Sequence, residues 1–422
     1  MKLRTHAGTI FVVVVSLILL GISIIIEKSP ISLPFLSSRS ILDSAPGPAP
    51  APEFTPNPTS GPSPEAPSAP PPAGGTGSLP LTIPSGFKMQ VFAKDLAGAR
   101  VLRFDSDGNL WVSLMGKGVV AKLTLENGSL KEQKEVFTGL NKPHGLAFDP
   151  DDKKMLYIAE EGRVAKYDVT QPGKAGEKIL DLPTGGNHVS RTIAFGPDKK
   201  LYITVGSSCN VCHEEDERRA AMLRYDPQTK QSEIYARGLR NTVFFVWDKA
   251  GRLFGTDMGR DLLGDNIPPD ELNIIEQGGN YGWPICYGNN IHDDKFDKNT
   301  YIRNPCMVPF EKPSYVDFQA HSAPLGLAFA PESWPAEYRN DLFVSFHGSW
   351  NRSQATGYKV VRVMLDESGN STGIKDFITG WLAPGLLREA ALGRPVDIVT
   401  DNAGALYISD DKAGVIYRLI AL

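Results

Sequence analysis

Along residues 81–422, apolar and polar positions alternate with period two in short runs broken by Gly, Pro and Asp. That is the pattern of β-strands joined by tight turns. Residues 185–206, GGNHVSRTIAFGPDKKLYITVG, show it plainly: Thr192–Phe195 and Leu201–Val205 flank the turn GPDKK, and a polar loop before them holds His188. The order predicted is loop, strand, turn, strand, with the histidine at the mouth of a sheet.

The unit recurs. Copies begin at Val101 (VLRFDSDGNLWVSL), His144 (HGLAFDPDDKKMLYIAEEG), Arg191, Thr242 (TVFFVWDKAGRLFGTDMG), Leu325 and Val396 (VDIVTDNAGALYISDDKAG). Most are followed by a third strand such as VAKYDV or VIYRLIAL. Repeats of roughly forty to fifty residues made of short antiparallel strands predict an all-β, six-bladed β-propeller, because one blade cannot bury both faces of its sheet and must stack on neighbours. A β-sandwich is the other arrangement open to such strands. The run Gly86–Ala93 is expected to pair with the last blade, since a ring must join its chain ends to leave no open edge. Wider spacing across 261–322 and 349–393 predicts loop insertions that mark the functional end.

Composition adds the setting. A net charge of -4 over 422 residues excludes a nucleic-acid binder, which needs a basic face. Lys2 and Arg4 precede the uncharged apolar run Ile10–Ile26, so residues 1–8 are expected in the cytoplasm and 9–26 as a transmembrane signal anchor, a cleaved signal peptide being the rival. Residues 27–80 read as a Pro/Ala/Ser-rich disordered linker: Ser44–Ser78 has twelve prolines in thirty-five residues, too little apolar surface to fold. The propeller, 81–422, is then expected on the periplasmic or extracellular side of the membrane. There the four cysteines are expected as local disulfides, Cys209 with Cys212 and Cys286 with Cys306. CNVCH, Cys209–His213, also matches a c-type haem attachment pattern.

Residues just before the first strand of each copy are expected at one rim of the central channel. They are His144, His188, Arg240 with Asn241, His321 and Arg394. Such a rim is cationic and hydrogen-bonding, suited to an anionic or carbonyl-rich ligand, with a histidine available as base. The acidic, Gly- and Pro-rich stretch 257–283 adds the oxygen donors that calcium takes.

With GGNHVSRTIAFGPDKKLYITVG, ARGLRNTVFF, DELNIIEQGGNYGWP, HSAPLGLAF and FHGSWNR together, the chain resembles the glucose/sorbosone dehydrogenases that use pyrroloquinoline quinone, and most of all their sorbosone-dehydrogenase-like subgroup. The likeness covers about residues 81–422. It implies oxidation of an aldose or sorbosone-like sugar by hydride transfer to the quinone, with an external electron acceptor. His188 falls at the family's general base. Arg240 and Asn241 fall at the pair on the quinone oxygens, and Arg394 at a partner of a cofactor carboxylate. The backbone of Gly259 and Arg260 falls at the cofactor calcium, and Glu271 with Tyr281 at a second calcium. His144 and His321 join the cofactor contacts at the rim, with His144 nearest the place of a sugar-contacting glutamine. His347 or Arg352 stands in for a cofactor-contacting lysine, and Asn187 stands where glucose-oxidising members carry an aspartate. Two other readings of such a propeller are a calcium-dependent lactonase-type hydrolase and a non-catalytic extracellular binding propeller.

Overall fold

Six four-stranded antiparallel sheets follow one another along the chain in the computed structural model, which describes residues 80–422. The anchor assigned to 9–26 and the linker up to residue 79 lie outside the described residues. Blade 1 is Ala99–Phe104, Leu110–Leu114, Val119–Glu126 and Ser129–Phe137, and blades 2 to 5 repeat that order with first strands at Leu146–Phe148, Ile193–Phe195, Phe244–Trp247 and Pro324–Phe329. Blade 6 is Pro395–Thr400, Leu406–Asp410 and Val415–Ala421, and its outer strand is Phe87–Ala93 from the start of the domain. The six-bladed propeller and its closure by the first strand are therefore as the repeats predict. Among the described residues no helix is long and apolar enough to cross a membrane.

The second strands show why the repeat was visible. LWVSL, LYITV, LFGTD, LFVSF and LYISD are buried along their whole length, sandwiched between sheets on both faces. A two-sided apolar environment demands apolar residues at nearly every position. Yet each carries one hydroxyl at its fourth residue, Ser113, Thr204, Thr256, Ser345 and Ser409, all fully buried. Those hydroxyls bind main chain: Thr256 Oγ1 donates to the Leu325 carbonyl of the next blade at 2.7 Å, and Ser409 Oγ to the Arg100 carbonyl at 2.6 Å. Ser345 Oγ donates likewise to Val396. These three hydroxyls stitch blade to blade, while Ser113 and Thr204 accept from the N–H groups of Val101 and Thr192 within their own blades.

The wide spacings hold strands as well as loops. Residues 261–322 contain the third and fourth strands of blade 4, Asp270–Ile275 and Val316–Phe318, and 349–393 contain the corresponding strands of blade 5, Lys359–Leu365 and Ser371–Ile378. Connecting chain is left at 258–269, 276–315, 319–323, 347–358, 366–370 and 379–394, and 276–315 itself holds the short antiparallel pair Cys286–Tyr287 and Ile291–His292. Both cysteine pairs are disulfides, with Cα atoms 6.2 Å apart for Cys209–Cys212 and 5.6 Å for Cys286–Cys306. The first bond uses both sulfurs that a haem attachment at CNVCH would need, so that reading is set aside.

Candidate active site

His188 lies on the loop between blades 2 and 3, and two glycines make its place possible. A Cβ on Gly186 would sit 2.6 Å from the Ser208 backbone, and one on Gly206 would sit 2.6 Å from His188 Cβ and 2.7 Å from Asn241 Oδ1. The His188 carbonyl is held by Arg191 Nη1 at 2.8 Å. The ring is fixed by Ser207: Nδ1 lies 3.0 Å from the Ser207 carbonyl and 2.9 Å from its Oγ. The Ser207 hydroxyl spends its own proton on the Cys209 carbonyl, at 2.7 Å. Both partners of Nδ1 are thus acceptors, which assigns the proton to Nδ1 and leaves the lone pair on Nε2. Burial, with the charge of Arg240 second, pushes the imidazole pKa down to about 3. The ring is neutral at physiological pH and presents an open acceptor nitrogen to a cleft of about 360 Å³.

Arg240, Asn241, Gly259 and His321 line the same cleft. Arg240 is buried, and every N–H has a protein acceptor: Nε meets the Asn210 carbonyl at 2.9 Å, Nη1 the carbonyls of Met258 and Gly259 at 3.1 and 2.9 Å, and Nη2 Asn210 Oδ1 and Asp261 Oδ2 at 2.9 and 3.2 Å. It offers the cleft a fixed positive charge. Asn241 is anchored by its N–H to Asp257 Oδ1 at 2.7 Å. His321 Nε2 donates to the Gly264 carbonyl at 2.9 Å, and its Nδ1 faces Asn351 Nδ2 at 3.4 Å.

The other predicted residues fall elsewhere. His144 is fully buried between blades, its Nδ1 3.2 Å from Thr192 Oγ1 and its Nε2 accepting from Arg100 Nε at 3.4 Å, so it is wall and not rim. His347 pairs with Asp411 at 3.0 Å, and Arg394 donates to the carbonyls of His347 and Gly348 at 3.0 and 2.6 Å, forming a separate cluster with Arg100. Arg352 points away from the cleft and ties the 261–266 loop to blade 5 through the carbonyls of Asp265 and Ala320. Arg260 is paired with Asp293 at 2.6 Å. Asn187, by contrast, lines the cleft beside His188, but it is exposed and makes no hydrogen bond to that ring. Orientation of the base falls to Ser207 instead, because the main chain turns the ring toward that residue.

Sequence reasoning missed Ser207, Asn210, Asp261, Asp270, Trp350 and Asn351. Trp350 and Asn351 sit inside the quoted FHGSWNR, and Asn210 inside CNVCH, but nothing in a residue's identity says that its amide faces a cleft. A flat, carboxylate-bearing quinone suits this lining. The buried charge of Arg240 meets anionic groups, Trp350, 55% exposed, offers an indole face, and Asn351 Oδ1 is a buried acceptor without a partner. For calcium, Asp257 and Glu271 pair across adjacent strands and line one small cavity beside the cleft. Burial pushes Asp257 up to about 6 and, with Asp257 beside it, Glu271 up to about 8. That excess of buried carboxylate fits a divalent cation. The Tyr281 hydroxyl does not join such a donor set, for it donates to the Ile274 carbonyl at 2.6 Å and accepts from Glu276 N–H at 2.8 Å.

A family model described as TrAA12-like matches residues 81–421. An uncharacterized protein of Borreliella burgdorferi is 32% identical over 360 residues, 80% of this chain and 90% of that protein. A pyrroloquinoline quinone-dependent pyranose dehydrogenase of Coprinopsis cinerea is 25% identical over 400 residues, 80% of this chain; the chain spans 54% of that relative's length. Among solved structures, the iodide structure of the Trichoderma reesei carbohydrate-active enzymes family AA12 matches 81% of this chain and 98% of its own with a TM-score of 0.70 at 22% identity, a likeness of fold.

Proposed function

Because the chain belongs to the TrAA12-like family, we propose that its cleft oxidises a pyranose or related aldose at a CH–OH group, with pyrroloquinoline quinone and calcium as cofactors. The observation that carries the reading is the His188 ring: neutral, fixed at Nδ1, with the Nε2 lone pair open to the cleft beside a buried guanidinium. A base of this kind takes the hydroxyl proton of the sugar while hydride leaves the same carbon, so the alcohol becomes a carbonyl and no proton is left without an acceptor. When bound, pyrroloquinoline quinone would supply the acceptor for that hydride and its two electrons, and a calcium held by Asp257 and Glu271 would add positive charge beside the cleft. Arg240 acts through its buried charge, which favours negative charge developing nearby. Trp350 gives a flat apolar face for a ring, and Asn351 Oδ1 an acceptor for a hydroxyl or ring N–H. An external electron acceptor then reoxidises the cofactor. A location outside the cytoplasm, on the tether that precedes the propeller, is supported by the two disulfides.

The test uses the full chain, purified in mild detergent and loaded with pyrroloquinoline quinone and calcium, with dye reduction followed across a panel of aldoses. Cofactor-dependent turnover is expected, and His188→Ala is expected to lower kcat by on the order of 10²–10⁴. Absence of turnover with every aldose overturns the reading.

A further inference from the structure

Four residues after the second strand of blade 3, the chain closes a tight ring, Cys209-Asn210-Val211-Cys212, through a disulfide. Two threads leave this ring for the two reactive groups of the cleft. The first runs from Asn210. Its backbone carbonyl accepts from Arg240 Nε and its side-chain Oδ1 from Arg240 Nη2, both at 2.9 Å, so one residue grips two edges of the guanidinium. Oδ1 also accepts from Asp261 N–H at 2.8 Å, and Nδ2 donates to the Asp261 carbonyl at 3.0 Å. Asp261 in turn meets Arg240 at 3.2 Å and Asn351 at 2.7 Å. The second thread runs from the Cys209 carbonyl, which takes the Ser207 hydroxyl proton and so keeps Ser207 Oγ as an acceptor for His188 Nδ1. The ring is itself pinned below by Glu214, which accepts from Ser208 N–H and Oγ at 2.6 and 2.7 Å.

We propose that the Cys209–Cys212 ring positions both reactive groups: Asn210 within it clamps Arg240 directly, while the Cys209 carbonyl at its edge fixes the Ser207 acceptor that sets the His188 tautomer. This rests on the dehydrogenase reading for its catalytic consequence. A four-residue segment left open would have many conformations, and closing it removes them before substrate arrives. Without the Asn210 amide, a buried guanidinium N–H and the Asp261 N–H lose their acceptor, a cost that drives Arg240 to a new geometry. Misplacement of a reactive group by about an ångström costs on the order of 10² in rate, so the loss falls on kcat and cofactor affinity and not on sugar binding.

The experiment takes the full chain, as wild type, Asn210→Ala, Asn210→Asp and the Cys209→Ser, Cys212→Ser double variant. Three quantities are read beside the melting temperature: kcat and KM with the best aldose, pyrroloquinoline quinone affinity by titration of the calcium-loaded apoprotein, and the His188 tautomer by ¹⁵N resonances of the selectively labelled histidines. Asn210→Ala, which leaves the Cys209 carbonyl and the disulfide in place, is expected to lower kcat and cofactor affinity at least about tenfold with sugar KM changed less than about twofold and to keep the single Nδ1–H form of His188. The cysteine double variant, which opens the ring, is expected to turn that form into a mixture. Asn210→Asp keeps the oxygen that accepts from Arg240 and the Asp261 N–H but loses the Nδ2 donor to the Asp261 carbonyl, and is expected to recover part of the loss. Wild-type kcat and cofactor affinity in Asn210→Ala overturn the proposal, as does a wild-type tautomer in the cysteine double variant, or an equal loss in Asn210→Ala and Asn210→Asp that follows their melting temperatures. Should Asn210→Ala fail to fold, the cysteine double variant stands in its place: a loss of turnover with a mixed tautomer at an assay temperature well below its melting temperature supports the proposal, and unchanged turnover and tautomer overturn it. If wild type itself turns over no aldose, the dehydrogenase reading fails alone, since the tautomer is read without cofactor or substrate.

Discussion

At the scale of single residues, the charge state of His188 follows from its neighbours. Burial and the Arg240 charge hold its pKa at about 3, against 6.5 for the free side chain. If its neutral form is the base, the acid limb of kcat/KM lies well below pH 6.5 and the profile is flat in this group from about pH 5 to 8. A limb near 6.5 in a pH–rate study would sink that assignment. Stability carries the same sign. Between about pH 3 and 6.5 the unfolded chain binds the proton and the native chain does not, so this residue makes stability fall as pH drops through that window. His347, lowered to about 4 by burial, adds to the fall between about 4 and 6.5. His188→Ala is therefore expected to lose less stability than wild type between pH 7 and 4 in urea unfolding. Gly206 is the complementary case: a Cβ there meets both His188 and Asn241, and Gly206→Ala is expected to cut kcat at least about tenfold while the fold survives by circular dichroism. His188 was legible in the sequence because it precedes a strand in a repeated unit. Ser207 and Asn210 were not, because their work is done by carbonyls and by an amide whose direction depends on the disulfide ring.

At the scale of the strand, legibility follows burial. The second strands are closed in on both faces, so their sequences are almost wholly apolar and the six copies stand out. The fourth strands lie at the outside of the blades; Ser129–Phe137, SLKEQKEVF, is exposed at most positions and reads as a charged loop. The fourth strand of blade 5, Ser371–Ile378, is mostly solvent-facing and is hidden in its long spacing for the same reason. The buried hydroxyls of the second strands belong to this scale too. Ser409 Oγ donates to the Arg100 carbonyl and accepts from Asp397 N–H at 3.0 Å, joining blade 6 to blade 1. Ser409→Ala strands both groups in a dry interface and is expected to cost about 1–3 kcal/mol in chemical denaturation. A change within about 0.5 kcal/mol would mean that the seam is held by packing alone.

At the scale of the molecule, the ring depends on one strand brought from the far end of the domain. Phe87–Ala93 pairs with Val415–Ala421 from Phe87 opposite Ala421 to Ala93 opposite Ile416, and the Leu422 N–H reaches the Gly86 carbonyl at 2.9 Å. Its side chains enter two of the hydrophobic clusters. Phe87 packs edge-on against Trp334, Tyr338 and Phe377, with centroids 4.7, 5.3 and 5.5 Å away, and Phe92 against Tyr407 at 5.0 Å. Loss of one buried phenylalanine costs about 3–5 kcal/mol, and whole domains hold only about 5–15, so removing this strand consumes most of the stability available. It also bares the edge of Val415–Ala421, a template for pairing with another chain. A chain starting at residue 80 is therefore expected to melt within a few degrees of the full chain, whereas one starting at residue 94 is expected to melt far lower or to elute as aggregates. Calorimetry and size-exclusion chromatography on the two truncations decide the point. A monomeric chain from residue 94 with an unchanged melting temperature would show that the other blades hold the ring without its clasp. It would also free the channel rim, where His188 and Arg240 face one cleft from adjacent blades, from dependence on closure.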